Sequence, residues 1–208
     1  MKIKLAQAGK RFNRDWIFRG VDLEFESGTA YAITGPNGSG KSTLLQSIGG
    51  MLQLSEGHIH FEEAGTIAPE HTYRTVSFCA PYLDVIEEMT LTEFLTFHQQ
   101  FKPLIPGVDQ SSVIREIGLE AAADKQIRYY SSGMKQRVKL AQALFSDTAA
   151  VLLDEPCSNL DDKGITLYHS LIVKYGRSRI VIVCSNDKVE YSFARSVVSI
   201  LDYKKQTV

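Results

Sequence analysis

The chain has 208 residues, 44% of them hydrophobic and 23% charged, which suits one large globular domain able to bury a sizeable core. A formal net charge of −1 excludes a global electrostatic pull toward nucleic acid or anionic membrane, so no nucleic-acid partner is expected. Cys79, Cys157 and Cys184 are too widely spaced for a disulfide framework or a metal knuckle, the start "MKIKLAQAGKRFNRDW" lacks a signal-peptide core, and no apolar run approaches the roughly 20 residues of a membrane span; a cytoplasmic chain is expected.

In chain order, strands are predicted at 2–6, 21–25 and 29–34, the last running into "GPNGSGKST" and a helix over 41–48 that stops at Gly49-Gly50. Gly35, four residues, then Gly40-Lys41-Ser42 match G-x-x-x-x-G-K-[ST] in the strand-to-helix context that this pattern requires. The glycines let backbone N–H groups of residues 35–43 (Gly35, Pro36, Asn37, Gly38, Ser39, Gly40, Lys41, Ser42, Thr43) curl around a β-phosphate and aim a helix N-terminus at it. Lys41 supplies a point charge to the β/γ oxygens, and the Ser42 hydroxyl is a ligand for Mg²⁺. A nucleotide is the implied ligand.

Further strands are predicted at 58–61 and 75–79, then helices at 90–101 and near 110–117, with "FKPLIPGVDQ" (101–110) as a connection. A helix over 132–146 follows "YYSS". Ser131 reads either as an ordinary N-cap or, with Gly133, as part of a second phosphate site at a helix N-terminus. The strand at 149–154 ends in Asp154-Glu155, a suitable metal ligand followed by a carboxylate able to polarise an attacking water. After a helix over 161–174, "RIVIVC" (179–184) reads as a strand buried on both faces, ending in Ser185-Asn186-Asp187. Asn186 therefore faces either a plain turn or a ligand, since parallel sheets bind ligands beyond their carboxyl ends. A last strand is predicted at 196–201. The order of elements implies an α/β core with a parallel sheet, a small antiparallel β portion and a mostly helical insert over about 81–145.

Together the motifs resemble the nucleotide-binding subunit of ATP-binding cassette (ABC) transporters. "GPNGSGKST" is similar to its Walker A loop, "YSSGMKQR" to its signature sequence, "VLLDEP" to Walker B with the catalytic glutamate, and "SNLD" (158–161) to its D-loop, in the family's order over nearly the whole chain. The resemblance implies a P-loop NTPase core, mostly parallel, with a helical subdomain inserted between the P-loop and the signature. It implies one ABC ATPase domain over 1–208, with core and β portion at about 1–80 and 146–208 and the helical subdomain at about 81–145. It further implies a head-to-tail dimer of two such chains, expected to be a homodimer, that energises a separate integral membrane subunit from the cytoplasmic face.

By the same resemblance Glu155 is the general base, and Lys41 and Asn186 are catalytic. Ser42 and Asp154 hold Mg²⁺. Ser131 and Gly133 bind the γ-phosphate of ATP across the interface, and Asp161 links the two sites. Phe12, with Trp16 as the alternative, stacks on adenine. Four departures stand out: Ser132 and Met134 replace the signature's usual Gly and Gln, Pro81 or Ala80 stands where the family has a glutamine, and Asn186 stands for its histidine. The two signature departures are expected to leave binding intact, since much of that contact comes from backbone N–H groups and Ser131. The last two imply an ATPase that remains competent but hydrolyses slowly or is gated differently. Two other readings carry the same P-loop: an ATP-driven dimerisation switch with little turnover, which the last two departures favour, and a small-molecule kinase, which "DEP" and the signature-like helix oppose.

Overall fold

Strands β3 (Ala30–Thr34), β5 (Val76–Cys79), β6 (Ala150–Asp154), β7 (Ile180–Cys184) and β8 (Ser196–Ser199) form a sheet in the order β5-β6-β7-β3-β8. Every pairing in it is parallel, so the carboxyl ends lie along one edge. This is a computed structural model, and it describes residues 1–63, 65–68 and 71–204.

Every residue of β6 and β7 is buried, and the two-residue period of a strand divides them between two cores. Val151, Leu153, Val181 and Val183 join the core that also takes up α3 (Leu91–Gln99), α4 (Gln110–Glu116), α5 (Ser132–Leu144) and α6 (Asp162–Tyr175). Leu152, Ile180, Ile182 and Cys184 face the other way. They meet Leu44, Leu45 and Ile48 of α1 (Lys41–Ile48) and the inner face of the second sheet. That sheet is antiparallel in the order β2-β1-β4, from β1 (Lys2–Phe12), β2 (Asp15–Glu26) and β4 (Glu56–Glu62). Two short helices, α2 (Thr72–Thr75) and α7 (Lys188–Tyr191), complete the set.

The expected strands over 2–6 and 21–25 are each longer. β1 runs to Phe12 by passing through bulges, with Gln7 at φ +48°. A Cβ on Gly57 of β4 would stand 2.2 Å from the Gln7 carbonyl oxygen, so this close approach demands glycine. The strand expected at 196–201 stops at Ser199, whose Oγ accepts from the Leu201 N–H and turns the chain into a 3₁₀ helix over Ile200–Tyr203. The apolar run on α3 divides: Phe94 and Leu95 are buried, while Phe97 and, beyond the helix, Phe101 pack edge to face on the outside.

His98 on α3 joins the helical segment to the β6 approach. Gln142 Nε2 lies 3.3 Å from its Nδ1, Ser146 Oγ lies 2.9 Å from its Nε2, and Ser146 donates back to the Gln142 carbonyl at 2.6 Å. This ring of contacts suits a neutral imidazole with its proton on Nε2. Burial, reinforced by Lys102, pushes the His98 pKa down to about 4. Because the unfolded imidazole keeps its value near 6.5, stability is full above about pH 6.5 and falls as the unfolded state takes up its proton down to about pH 4. Chemical denaturation at a series of pH values will show a shallower acid-side decline in His98→Gln than in the wild type; equal slopes would exclude His98 as the cause.

Candidate active site

The loop from β3 to α1 is shaped by glycines at positive φ: Gly35 at +148°, Gly38 at +74° and Gly40 at +104°. A Cβ on Gly40 would come within 2.4 Å of Ile17 Cγ2, so the β2 side chain closes on the loop only because residue 40 has none. Lys41 is buried, and its Nζ reaches back to the carbonyls of Gly35 (2.7 Å) and Pro36 (3.3 Å).

The start of α1 differs from its counterparts. Thr90, Asp109, Ser131 and Asp161 cap α3, α4, α5 and α6 with side-chain oxygens, whereas Gly40 offers α1 none and its first turn has no acidic residue. Free N–H groups and the positive end of the helix dipole therefore face the cleft, which is the arrangement that binds a phosphate.

β6 delivers Asp154 to the same edge. The carboxylate is buried, and neither oxygen has a partner in full hydrogen-bond geometry, although the Ser42 hydroxyl and the Tyr82 phenol lie close to it. Burial pushes its pKa up; the adjoining Ser42 hydroxyl and Tyr82 phenol pull it down, and Glu155 pushes it up again. A buried anion without a partner beside a serine hydroxyl fits a hard divalent cation such as Mg²⁺.

Glu155 follows at φ +42°, a left-handed conformation that is costly for a glutamate. Its loop is held from three sides. The Glu155 N–H donates to the Cys184 carbonyl (3.0 Å), Gln136 Nε2 to the Pro156 carbonyl (2.7 Å) and the Cys157 N–H to the buried Glu190 carboxylate (2.8 Å). The Glu155 side chain is exposed and shares one cleft with residues 37–43 and Ile17.

Ser131, Gly133 and Asp161 do not line that cleft. They border a separate one of about 450 Å³ with Met134, Arg137 and Asn159. Ser131 Oγ caps α5 by accepting from Met134 N–H (3.2 Å), and a Cβ on Gly133 would meet the Asn159 carbonyl at 3.0 Å. Asp161 Oδ1 accepts from Gly164 N–H (2.8 Å) and lies 3.6 Å from Arg137 Nη2.

Phe12 is 47% exposed at the end of β1, so it is not a core aromatic. Trp16 is engaged by Arg19 and Arg11, at 4.5 and 5.6 Å from its ring, which leaves Phe12 as the more open platform. Pro81 has no polar side chain to offer, but the residue after it, Tyr82, turns its phenol to Asp154 and Gln46. Sequence reasoning passed over Tyr82, Gln136 and Glu190, because a tyrosine after a proline and polar residues within short helices look like ordinary surface.

The uncapped α1, the glycine loop and the acidic end of β6 on a parallel sheet define a P-loop NTPase of the cassette type. The family model described as ABC transporter matches residues 18–158, and the chain belongs to that family as its ATP-binding, ATP-hydrolysing subunit. It is 30% identical to the ABC transporter ATP-binding protein YybJ of Bacillus subtilis, over 89% of this chain and 86% of the relative. It is 34% identical to the cytochrome c biogenesis ATP-binding export protein CcmA of Xylella fastidiosa, over 74% and 72%. Among solved structures, an ABC transporter ATP-binding protein from Pyrococcus furiosus superimposes with a TM-score of 0.83 at 19% identity, covering 99% of this chain and 100% of the other. The cassette MJ0796, in a dimeric post-hydrolysis state with ADP and Pi, gives 0.82 at 22%, covering 95% and 93%. No described helix is long and apolar enough to cross a membrane.

The unpartnered Asp154 makes a measurable demand. A carboxyl with a raised folded pKa contributes most below its unfolded value near 3.9 and loses that contribution as pH rises through the folded pKa, so at neutral pH its charge is a net cost. Without nucleotide or metal, Asp154→Asn will melt at a higher temperature than the wild type at pH 7.5. An unchanged or lower midpoint would show that the charge is compensated.

Proposed function

We propose that this chain binds ATP with Mg²⁺ on residues 35–43, hydrolyses it with Glu155 as general base, and works as one of two identical cassettes. The cassettes join head to tail on the cytoplasmic face of an integral membrane subunit, which the cycle energises. The observation that carries the reading is the separation of the two clefts. Residues 37–43 and Glu155 share one, while Ser131, Gly133 and Asp161 share another. The first is about 220 Å³, below the roughly 300–1,000 Å³ of pockets that enclose a small ligand. A nucleotide held there keeps an open side, and the capped but exposed start of α5 on a second chain has the N–H groups to cover the γ-phosphate.

Ser42 and Asp154 would hold the Mg²⁺, which when bound neutralises phosphate charge. Lys41 exchanges its loop carbonyls for β/γ oxygens. Glu155 takes a proton from water as the water oxygen bonds to the γ-phosphorus. The bond from that phosphorus to the β–γ bridging oxygen breaks, its electron pair stays with ADP, and inorganic phosphate forms. Phe12 supplies the adenine platform. Asp161, bound at once to α6 and facing Arg137 of the signature helix, ties the state of one site to the other. The same reading makes residues 81–145 the helical subdomain that receives the membrane subunit, within a single ATPase domain over 1–208.

Removing the base is expected to lower ATP turnover by about 100-fold or more in Glu155→Gln, since general-base catalysis contributes on that scale; unchanged phosphate release would dismiss Glu155 from the role. The composite site has its own test. Lys41→Ala and Ser131→Arg each inactivate the chain alone, but mixing the two restores turnover, because one of the two sites in the mixed dimer then has an intact P-loop facing an intact signature. Persistent inactivity of a mixture shown to form mixed dimers would rule out the head-to-tail arrangement.

A further inference from the structure

The Asn186 amide makes two hydrogen bonds with the phosphate loop: Oδ1 accepts from the Gly35 N–H (3.3 Å), and Nδ2 donates to Asn37 Oδ1 (3.0 Å). Neither Asn186 nor Gly35 borders the cleft in which residues 37–43 and Glu155 meet. The Gly35 peptide is therefore held at both ends, its N–H by Asn186 and its carbonyl by Lys41 at 2.7 Å.

We propose that Asn186 is a positioning residue, an amide latch that ties the carboxyl end of β7 to the first turn of the phosphate loop and holds the loop ready for the diphosphate of a nucleotide. This goes beyond the ATPase reading and rests on it. Only an amide offers an acceptor and a donor on one carbon, and the loop presents the complementary pair, a backbone N–H and a side-chain oxygen two residues apart. The loop needs such a tie. Gly35, at φ +148°, cannot be stiffened by a side chain, since a Cβ there would meet Ile200 Cγ2 at 2.6 Å and Ser39 Oγ at 2.8 Å. Residues 36–38 are exposed and have little packing to restrain them. Asn186 and Gly35 are not among the residues lining the cleft, so in this proposal a phosphate enters it without breaking the latch. It acts by lowering the ordering cost of binding, and that benefit is shared by every nucleotide with a β-phosphate.

The test measures MgATP and MgADP affinity calorimetrically in the full chain carrying Glu155→Gln, so that ATP is not consumed, with Asn186→Ala, Asn37→Ala and both. A net hydrogen-bond contribution translates into about 3- to 10-fold weaker binding in Asn186→Ala, and the loss is equal for MgADP and MgATP. Asn37→Ala weakens both nucleotides less, and the double variant is no worse than Asn186→Ala alone. Weakening confined to MgATP would place Asn186 at the γ-phosphate and overturn the latch. So would additive losses in the double variant, or tighter binding on removal of either amide. Asn186 is exposed, and a melting curve on each variant separates loss of affinity from loss of fold. Asn186→Asp, which keeps the acceptor for Gly35 and loses the donor to Asn37, gives a second reading: addition of Asn37→Ala to it must cost nothing further. Turnover of the Glu155 wild type against Glu155→Gln reports separately on the ATPase reading.

Discussion

Everything at this site depends on β3, β6 and β7 being hydrogen-bonded in parallel register. Ile33 pairs with Cys184 and Asp154 with Cys184, so three chain segments far apart in sequence end at one level. Only that alignment brings the loop after Thr34, the Asp154-Glu155 pair and the Ser185-Asn186 turn to one edge. The alignment is secured by burial rather than by local preference. Both faces of β6 and β7 are covered, and a slip of one residue would exchange the side chains that meet α1 for those that meet α5 and α6. The site is thus as rigid as the two cores that enclose the sheet.

Within that frame, several groups at the sheet edge are left unsatisfied or strained. The longer helices after α1 each have a side-chain cap, and the two terminal nitrogens of the buried Arg179 are bonded to Leu144, Ser77 and Thr148, though its Nε has no partner. By contrast α1 begins uncapped, Asp154 is buried without a partner, Ser39 Oγ has none, and Glu155 holds a left-handed backbone. Local rules broken together at one place, while the neighbouring elements obey them, mark where stability is given up for binding. The strain is local because the loop behind Glu155 is pinned by Gln136, Glu190 and the Cys184 carbonyl.

Elements whose signal is local were legible in the sequence. The helix over 41–48 has those bounds in the structure, because Gly40 opens it and Gly49-Gly50 close it, and the strands at 58–61, 149–154 and 179–184 lie within one or two residues of their observed ends. Signals that depend on distant partners were not. The extension of β1 to Phe12 relies on a bulge made possible by Gly57, some 50 residues away, and the early stop of β8 relies on the Ser199 cap. At the site, residue types foretold which groups gather at the sheet edge but not which way they turn. Asn186 was expected either in a plain turn or beside a ligand; its amide bonds the Gly35 N–H and the Asn37 side chain of the phosphate loop, a partnership that residue type alone does not announce.

The same geometry gives a single chain two helix N-termini that open into separate clefts. The start of α5 and the start of α1 are both helix N-termini with glycine near the first turn, yet they open into different clefts and share no lining residue. In the exposed turn before α5, Ser131 is held by its cap to the Met134 N–H, and the half-buried Gly133 lies against the Asn159 carbonyl, 3.0 Å from a would-be Cβ. That contact ties the signature turn to the D-loop, which in turn follows Glu155 by only a few residues. The turn at 131–133 and the segment that follows Glu155 are therefore in contact within one chain. In the proposed reading, closure over one nucleotide and alignment of Glu155 at the other act through that contact.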